Sequence, residues 1–173
     1  MQLEEATGRS GKRVADAILP CLQEWIGRAH EDLTFRTTQV LAGHGCFGEY
    51  LHKVVRKECA SRCHHCDAAE DTAQHTLGEC PAWEGQRRVL ASVVGVDFSP
   101  PALIRAMLGG REVWSAVTSF CEEVMSQKKE QERARRGEVI VGGGRVRRAG
   151  CALRGGGGAK TDARGGRPPP LGH

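Results

Sequence analysis

The chain has 173 residues and a net charge of +4, with 39% apolar, 27% charged and 5% aromatic residues. That length accommodates one domain with or without an extension, which excludes a multidomain enzyme. No apolar run reaches the roughly 20 residues that a membrane-spanning helix needs, so we expect no membrane association. Glu4 and Glu5 stand where an export signal would carry positive charge. We therefore expect a reducing compartment, in which the eight cysteines are packing residues, reactive thiols or metal ligands.

The positive charge is concentrated at the C-terminal end of the chain. Residues 137–173 hold seven Lys or Arg against two acids, together with 12 of the 23 glycines. The remaining residues therefore carry a net charge of −1. We predict that 137–173 is a disordered Gly/Arg-rich tail, because it cannot bury enough apolar surface to offset chain entropy. Residues 1–10 show no apolar periodicity and are predicted to be disordered as well.

Residues 11–58 are predicted to form a helical segment. Between positions 14 and 29, apolar side chains recur on one helical face. Pro20 lies inside that pattern and should kink the helix or split it in two. The Gly-His-Gly sequence at 43–45 indicates a turn, so we predict a helix, a turn and a second helix across 37–56.

Helical patterning resumes in residues 82–136. Ser99 followed by two prolines is typical of a helix start, with the hydroxyl as the cap. The two glycines at 109–110 should end that helix. Apolar residues then repeat in steps of three and four across 113–125, and residues 127–136 continue with polar side chains and one alanine, which could extend into solvent. We predict an all-α fold, a small helical domain interrupted by the segment described next.

Residues 59–81 contain one large apolar side chain, Leu77, so this segment needs another source of order. Three cysteines and a histidine supply ligand types that Zn²⁺ prefers, in the pattern Cys-x2-Cys-x8-His-x4-Cys. Four protein ligands leave no open coordination position, which predicts a structural zinc knuckle and not a catalytic site. The predicted ligands are Cys63, Cys66, His75 and Cys80.

Zinc binding would give this segment about 10–16 kcal/mol of apparent free energy. Asp71 or Thr72 could begin a short helix that carries His75 towards the metal. The alternative is that the cysteines are unligated thiols and that His75 is solvated. A segment with so little apolar surface fits that alternative badly, because unligated cysteines favour burial.

Other groups compete for the metal at less favourable spacing. His64, His65 and Cys59 are the nearby candidates, and we expect both histidines to be exposed at the turn. A second grouping matches no usual ligand arrangement, and we interpret it as a turn histidine with partly buried thiols. Its members are His44, Cys46, His52 and Cys59.

The knuckle loop itself is a poor binding site for phosphate. It carries four acidic residues and no Lys or Arg, and Zn²⁺ with three thiolates has a formal charge of −1. No aromatic residue lies between the ligands to stack on a base. The basic residues that flank the loop are the predicted nucleic-acid contacts: Lys53, Arg56, Lys57, Arg62, Arg87 and Arg88. On composition alone, these basic residues are explained equally well as part of a solvated helix face. The tail is the stronger electrostatic candidate, although it could also be an inert extension.

The sequence resembles the end of a non-LTR, LINE-like retrotransposon polyprotein. The resemblance rests on residues 33–51, which read LTFRTTQVLAGHGCFGEYL, and on the Cys/His cluster that ends in Cys80-Pro81. Ile18-Leu19-Pro20 with Trp25, and the stretch at 119–125, also fit. The family members most similar to this sequence are site-specific elements in which a zinc-binding region follows the reverse transcriptase.

The resemblance implies that the family's zinc ligands correspond to the four predicted here. It also implies that the region helps to hold template RNA or target DNA during target-primed reverse transcription, with a reverse transcriptase domain as a further partner in the nucleus. The chain is too short for the polymerase or endonuclease and has no adjacent pair of aspartates, so we expect neither catalysis nor a small-molecule substrate. The alternative is a zinc-stabilised protein-interaction or scaffolding module, which the acidic loop favours.

Overall fold

A computed structural model describes residues 11–29 and 32–137. Within these residues the chain is helical and contains no β-strand, which confirms the predicted all-α fold. None of the helices in this part of the chain has the length and apolar character needed to cross a bilayer. Our expectations for residues 1–10 and for the tail after Gly137 fall outside the described residues. The helices are α1 (residues 11–18), α2 (Leu22–Gly27), α3 (Phe35–Ala42), α4 (Gly48–Lys53), α5 (Glu84–Val94), α6 (Pro100–Leu108) and α7 (Arg111–Arg135).

The N-terminal helices occur in the predicted order, but the helix–turn–helix predicted across 37–56 spans 35–53. A 3-10 turn, Leu19–Cys21, separates α1 from α2, as the proline at position 20 requires. Helix α3 begins after Thr34, whose Oγ1 accepts the backbone N–H of Thr37 at 3.2 Å. It ends at Gly43, which has a φ of +72° and therefore adopts the left-handed conformation that favours glycine. The predicted helix–turn–helix is confirmed.

Helix α7 is the central element of the core and packs against α3, α5 and α6. Its apolar face, which includes Trp114, Val117 and Val124, is fully buried. The rings of Trp25 and Trp114 lie 5.5 Å apart, which attaches α2 to this face. The Arg28 guanidinium lies 4.5 Å and 4.9 Å from the centres of those two rings, so it covers both through cation–π contacts.

The start of α6 is where we predicted it, but the predicted cap is wrong. Ser99 occupies the N-cap position, yet its hydroxyl makes no capping hydrogen bond. Instead, Asp97 Oδ1 accepts the backbone N–H of Ser99 at 2.8 Å. A carboxylate two residues upstream therefore orders the turn into the helix.

The last turns of α7 also differ from the sequence interpretation. Lys128 and Glu132 are each only 2% exposed, although their surroundings in the sequence are polar. Glu132 accepts hydrogen bonds from Lys129 Nζ at 2.6 Å and from Arg136 Nη1 at 3.1 Å. The end of α7 thus buries charged groups in ion pairs against the rest of the domain.

Candidate metal centre

The four predicted ligands converge on one point. Their donor atoms all lie within 4.8 Å of one another. Cys63 Sγ is 3.9 Å from Cys80 Sγ, and Cys66 Sγ is 3.2 Å from His75 Nε2. Tetrahedral zinc with 2.3 Å Zn–S bonds would separate two sulfurs by about 3.8 Å. The donor set and the spacing therefore fit a Cys3His zinc site.

The first two ligands lie on a tight turn. The Cys63 N–H donates to Ala68 O at 2.8 Å, and the Asp67 N–H donates to Cys63 O at 3.0 Å. Asp67 has a φ of +61°, a conformation that aspartate tolerates better than most residues. The backbone N–H groups of His65 and Cys66 are hydrogen-bonded to the Cys63 sulfur. The turn therefore presents two sulfurs to one side and stabilises the thiolate form of Cys63.

The third candidate ligand begins a short wide helical turn of the π type, His75–Glu79, and the fourth, Cys80, directly follows it. Two α-helical residues, 73–74, precede this turn, and Thr72 caps them, because its Oγ1 accepts the His75 N–H at 2.9 Å. The Cys80 N–H donates to His75 O at 2.8 Å and closes the turn. Of the two starts that we considered, the threonine is therefore the one that caps this helix.

The orientation of the His75 ring has a structural cause. Its Nδ1 faces Glu79 Oε2 at 3.5 Å, while Nε2 faces the sulfurs. A carboxylate beside one ring nitrogen favours the tautomer that leaves the other nitrogen free to bind metal. His75 is only 7% exposed, so the ring has little freedom to turn away.

Burial favours the protonated thiol at two of the four residues, Cys63 and Cys80. It raises the pKa of the Cys63 and Cys80 thiols above their ordinary values, and both residues are fully buried. A metal ion would displace these protons, since the thiolate is the ligand form. Lys128 acts in the opposite direction on Cys63, because its positive charge lowers the pKa of that thiol.

Asp71 joins the knuckle to the helical core. Both its carboxylate oxygens lie 2.8 Å from Lys128 Nζ, and the two side chains are 4% and 1% exposed. Its Oδ2 also accepts the Gly48 N–H at 3.0 Å, and its Oδ1 accepts the Thr76 hydroxyl at 3.3 Å. One buried carboxylate thus links the loop, the start of α4 and the end of α7.

Two further contacts hold the knuckle against the helices. Arg87 Nε donates to Leu77 O at 2.8 Å, and its Nη2 donates to Cys80 O. A Cβ atom at Gly48 would lie 2.6 Å from Arg62 O, so only glycine permits this close approach of α4 to the loop. The guanidinium of Arg87 therefore has a structural contact in addition to the nucleic-acid role that we predicted for it.

The other predicted nucleic-acid contacts differ in how far they are neutralised. Lys53 pairs with Glu49 and Glu70, Arg88 pairs with Glu84, and Arg62 pairs with Asp67. Arg56 and Lys57 are exposed, and neither has an acidic partner among the described residues. All six remain predicted contacts.

The competing ligands lie outside the cluster. His64 is exposed as expected, with Nε2 3.7 Å from Glu58 Oε2. The expectation that His65 is exposed is wrong, because its ring packs 4.7 Å from that of Trp83. Cys59 is exposed and is not one of the converging residues.

The second grouping forms no metal cluster within the described residues. His44 packs on the Tyr50 ring at 4.7 Å, and His52 Nδ1 lies 2.9 Å from Glu58 O. Cys46 is buried, which raises the pKa of its thiol. These three residues therefore have structural contacts. Cys59, the fourth member, is exposed and disulfide-bonded, so the expectation of a partly buried thiol is wrong for it.

The fold and site define a small helical domain around a Cys3His cluster that could hold a metal ion. The chain is similar to a retrovirus-related Pol polyprotein from type-1 retrotransposable element R1 4 of Nasonia vitripennis, with 27% identity over 119 residues. That match covers 69% of this chain and 29% of the polyprotein, so the chain spans about three tenths of its relative's length. The resemblance to a retrotransposon polyprotein is thereby confirmed. No family model and no solved structure matches the chain.

Proposed function

We propose that the chain is a non-catalytic, zinc-binding and nucleic-acid-binding C-terminal region of a retrotransposon reverse transcriptase. It would help to hold template RNA or target DNA during target-primed reverse transcription. The observation that carries the proposal is the convergence of Cys63, Cys66, His75 and Cys80 to within 4.8 Å. The similarity to a retrotransposon Pol polyprotein supports the wider setting.

The zinc would organise the segment between the helices and would perform no chemistry. Three thiolates and an imidazole complete its coordination, so no position remains for water or substrate. Elemental analysis of protein purified in reducing buffer should give one zinc per chain. Absence of zinc, or its retention in Cys66→Ser, would contradict the site.

Charge distribution supports the nucleic-acid part of the proposal. Exposed cations flank the knuckle, and the tail from residue 137 carries a surplus of five positive charges. Fluorescence anisotropy with labelled RNA and DNA should show binding that weakens as salt rises, because phosphate contacts release counterions. Binding that is indifferent to salt, or no binding at low salt, would refute this role.

A second candidate is a zinc-stabilised protein-interaction or scaffolding module. It is favoured by the acidic side chains that the knuckle exposes, namely Asp67, Glu70 and Glu79. This candidate predicts that neutralising Lys53, Arg56 and Lys57 leaves function intact, while zinc removal destroys it. Retention of a purified reverse transcriptase domain on the immobilised chain would favour it.

A further inference from the structure

We propose that the end of α7 and the segment entering the knuckle form one phosphate-binding surface. It consists of Arg56, Lys57, Arg62, His64 and Arg135, and we refer to it as the α7 basic surface. The inference rests on the proposed nucleic-acid binding and specifies where the backbone of the strand would lie. It adds two residues, His64 and Arg135, to the contacts predicted from sequence.

Glu58 shows that these residues are neighbours in space. Its Oε1 lies 3.5 Å from Arg135 Nη2, and its Oε2 lies 3.7 Å from His64 Nε2. Arg56 and Lys57 directly precede Glu58 in sequence and are exposed. The last turn of α7 therefore lies beside the entry to the knuckle, although 77 residues separate Glu58 from Arg135.

The charges of this surface are unequal. Arg56, Lys57, Arg62 and Arg135 share it with two acids, Glu58 and Asp67. Elsewhere around the knuckle the cations are matched more fully, since Lys53 contacts two glutamates and Arg88 contacts Glu84.

The sequence beyond α7 is also basic. Helix α7 ends at Arg135, and the segment with the surplus of five positive charges begins two residues later. The α7 basic surface is therefore followed in sequence by further cations, which favour association with a polyanion.

The surface has the chemistry for phosphates but little for bases. It contains no Phe, Tyr or Trp, and the nearby Trp83 is only 3% exposed and so cannot stack on a base. We therefore expect binding that depends on the backbone and not on the base sequence.

Substitutions in the full chain test this surface against a matched control. Arg135→Gln and the pair Arg56→Gln/Lys57→Gln should weaken binding of labelled single-stranded RNA and DNA several-fold at low salt. Each removed cation should reduce the slope of log affinity against log salt by about one. Arg105→Gln, which removes an exposed cation of α6 outside every predicted contact, should bind as the wild type does.

A variant that should bind nucleic acid more tightly provides the stronger test. Glu58→Gln removes the acid that partly neutralises Arg135, so it should tighten binding, while zinc content and the thermal midpoint confirm a native fold. Two outcomes would refute the surface alone, provided that the wild-type chain binds. The first is unchanged affinity in Arg135→Gln and in Arg56→Gln/Lys57→Gln. The second is weaker binding by Glu58→Gln. No binding by the wild-type chain would refute nucleic-acid binding itself.

Discussion

The helical core and the knuckle reach order by different means. In the core, α7 buries Trp114, Phe120 and Met125 against neighbouring helices, so apolar burial supplies the stabilising free energy. The knuckle buries Leu77 and three of the four candidate ligands, along with Asp71 and Thr76, whose polar atoms need partners. Because it has few apolar contacts, we expect this segment to depend on a metal and on hydrogen bonds. The comparison predicts that each region can be weakened separately.

Removing a ligand should have the largest effect. We expect Cys66→Ser to abolish zinc binding and to unfold residues 59–81, with a loss of up to about 10–16 kcal/mol of apparent metal-derived free energy. The helix around Trp114 should remain partly formed, because its contacts are apolar. Hydrogen exchange read by mass spectrometry should show lost protection in the knuckle and retained protection in α7.

The control for that experiment is a buried cysteine outside the cluster. Cys121 is fully buried on α7, so Cys121→Ser should lower global stability while leaving the zinc content at one per chain. Equal loss of protection in both regions for Cys66→Ser would show that the core, too, depends on the metal.

The next largest effect should come from breaking the link between the two regions. Lys128→Met would leave the Asp71 carboxylate buried without its cation, which costs about 3–5 kcal/mol at buried pairs. The double variant Lys128→Met/Asp71→Leu should recover part of that loss, because no uncompensated charge remains. Denaturant unfolding measures both values.

An exposed ion pair serves as the comparison. Lys53→Met removes a lysine whose side chain is 41% exposed, and it should cost less than about 1 kcal/mol. A similar small cost for Lys128→Met would mean that the buried pair does not join the knuckle to the core.

The sequence predicted the four converging Cys and His residues and most of the helices because these features have local signals. Ligand spacing, Pro20 and the Gly43 turn each specify local geometry. Lys128 and Asp71 have no such signal, since a polar residue in a polar stretch predicts solvent exposure. Their burial depends on a contact between residues 57 positions apart, which only the folded topology produces. The structural role of Arg87 also has no local signal, because its hydrogen-bond partners are backbone carbonyl groups.

A smaller effect is expected from Glu79, which acts on the knuckle alone. Glu79→Ala removes the carboxylate beside His75 Nδ1 and should reduce zinc affinity by about 10- to 100-fold. Glu79→Gln retains an acceptor and should preserve much of the affinity. Competition with a chromophoric chelator measures the change, and Glu70→Gln is the control in the same loop. Unchanged affinity in Glu79→Ala would show that the ring is oriented by packing alone.

The smallest effect should fall in the core, at the turn before α6. The Ser99 backbone N–H and hydroxyl hold the pKa of Asp97 below its ordinary value. Because the native pKa is the lower one, the carboxylate stabilises the fold above the unfolded pKa of about 3.9, and this contribution disappears as pH falls through the native pKa. Asp97→Ala should therefore lower the Tm slightly near pH 7 and converge on the wild type in acid.

Metal loss at low pH does not obscure that comparison. Both proteins release zinc alike as the thiolates become protonated, so the difference between their Tm values isolates Asp97. Asp16→Ala, on the exposed face of α1, controls for the change in net charge. A Tm gap that persists unchanged after the pH has fallen through the native pKa of Asp97 would assign the effect to the lost side chain and not to its charge. The turn into α6 would then resemble the apolar face of α7, which is ordered without electrostatic help, and this would sharpen its contrast with the knuckle.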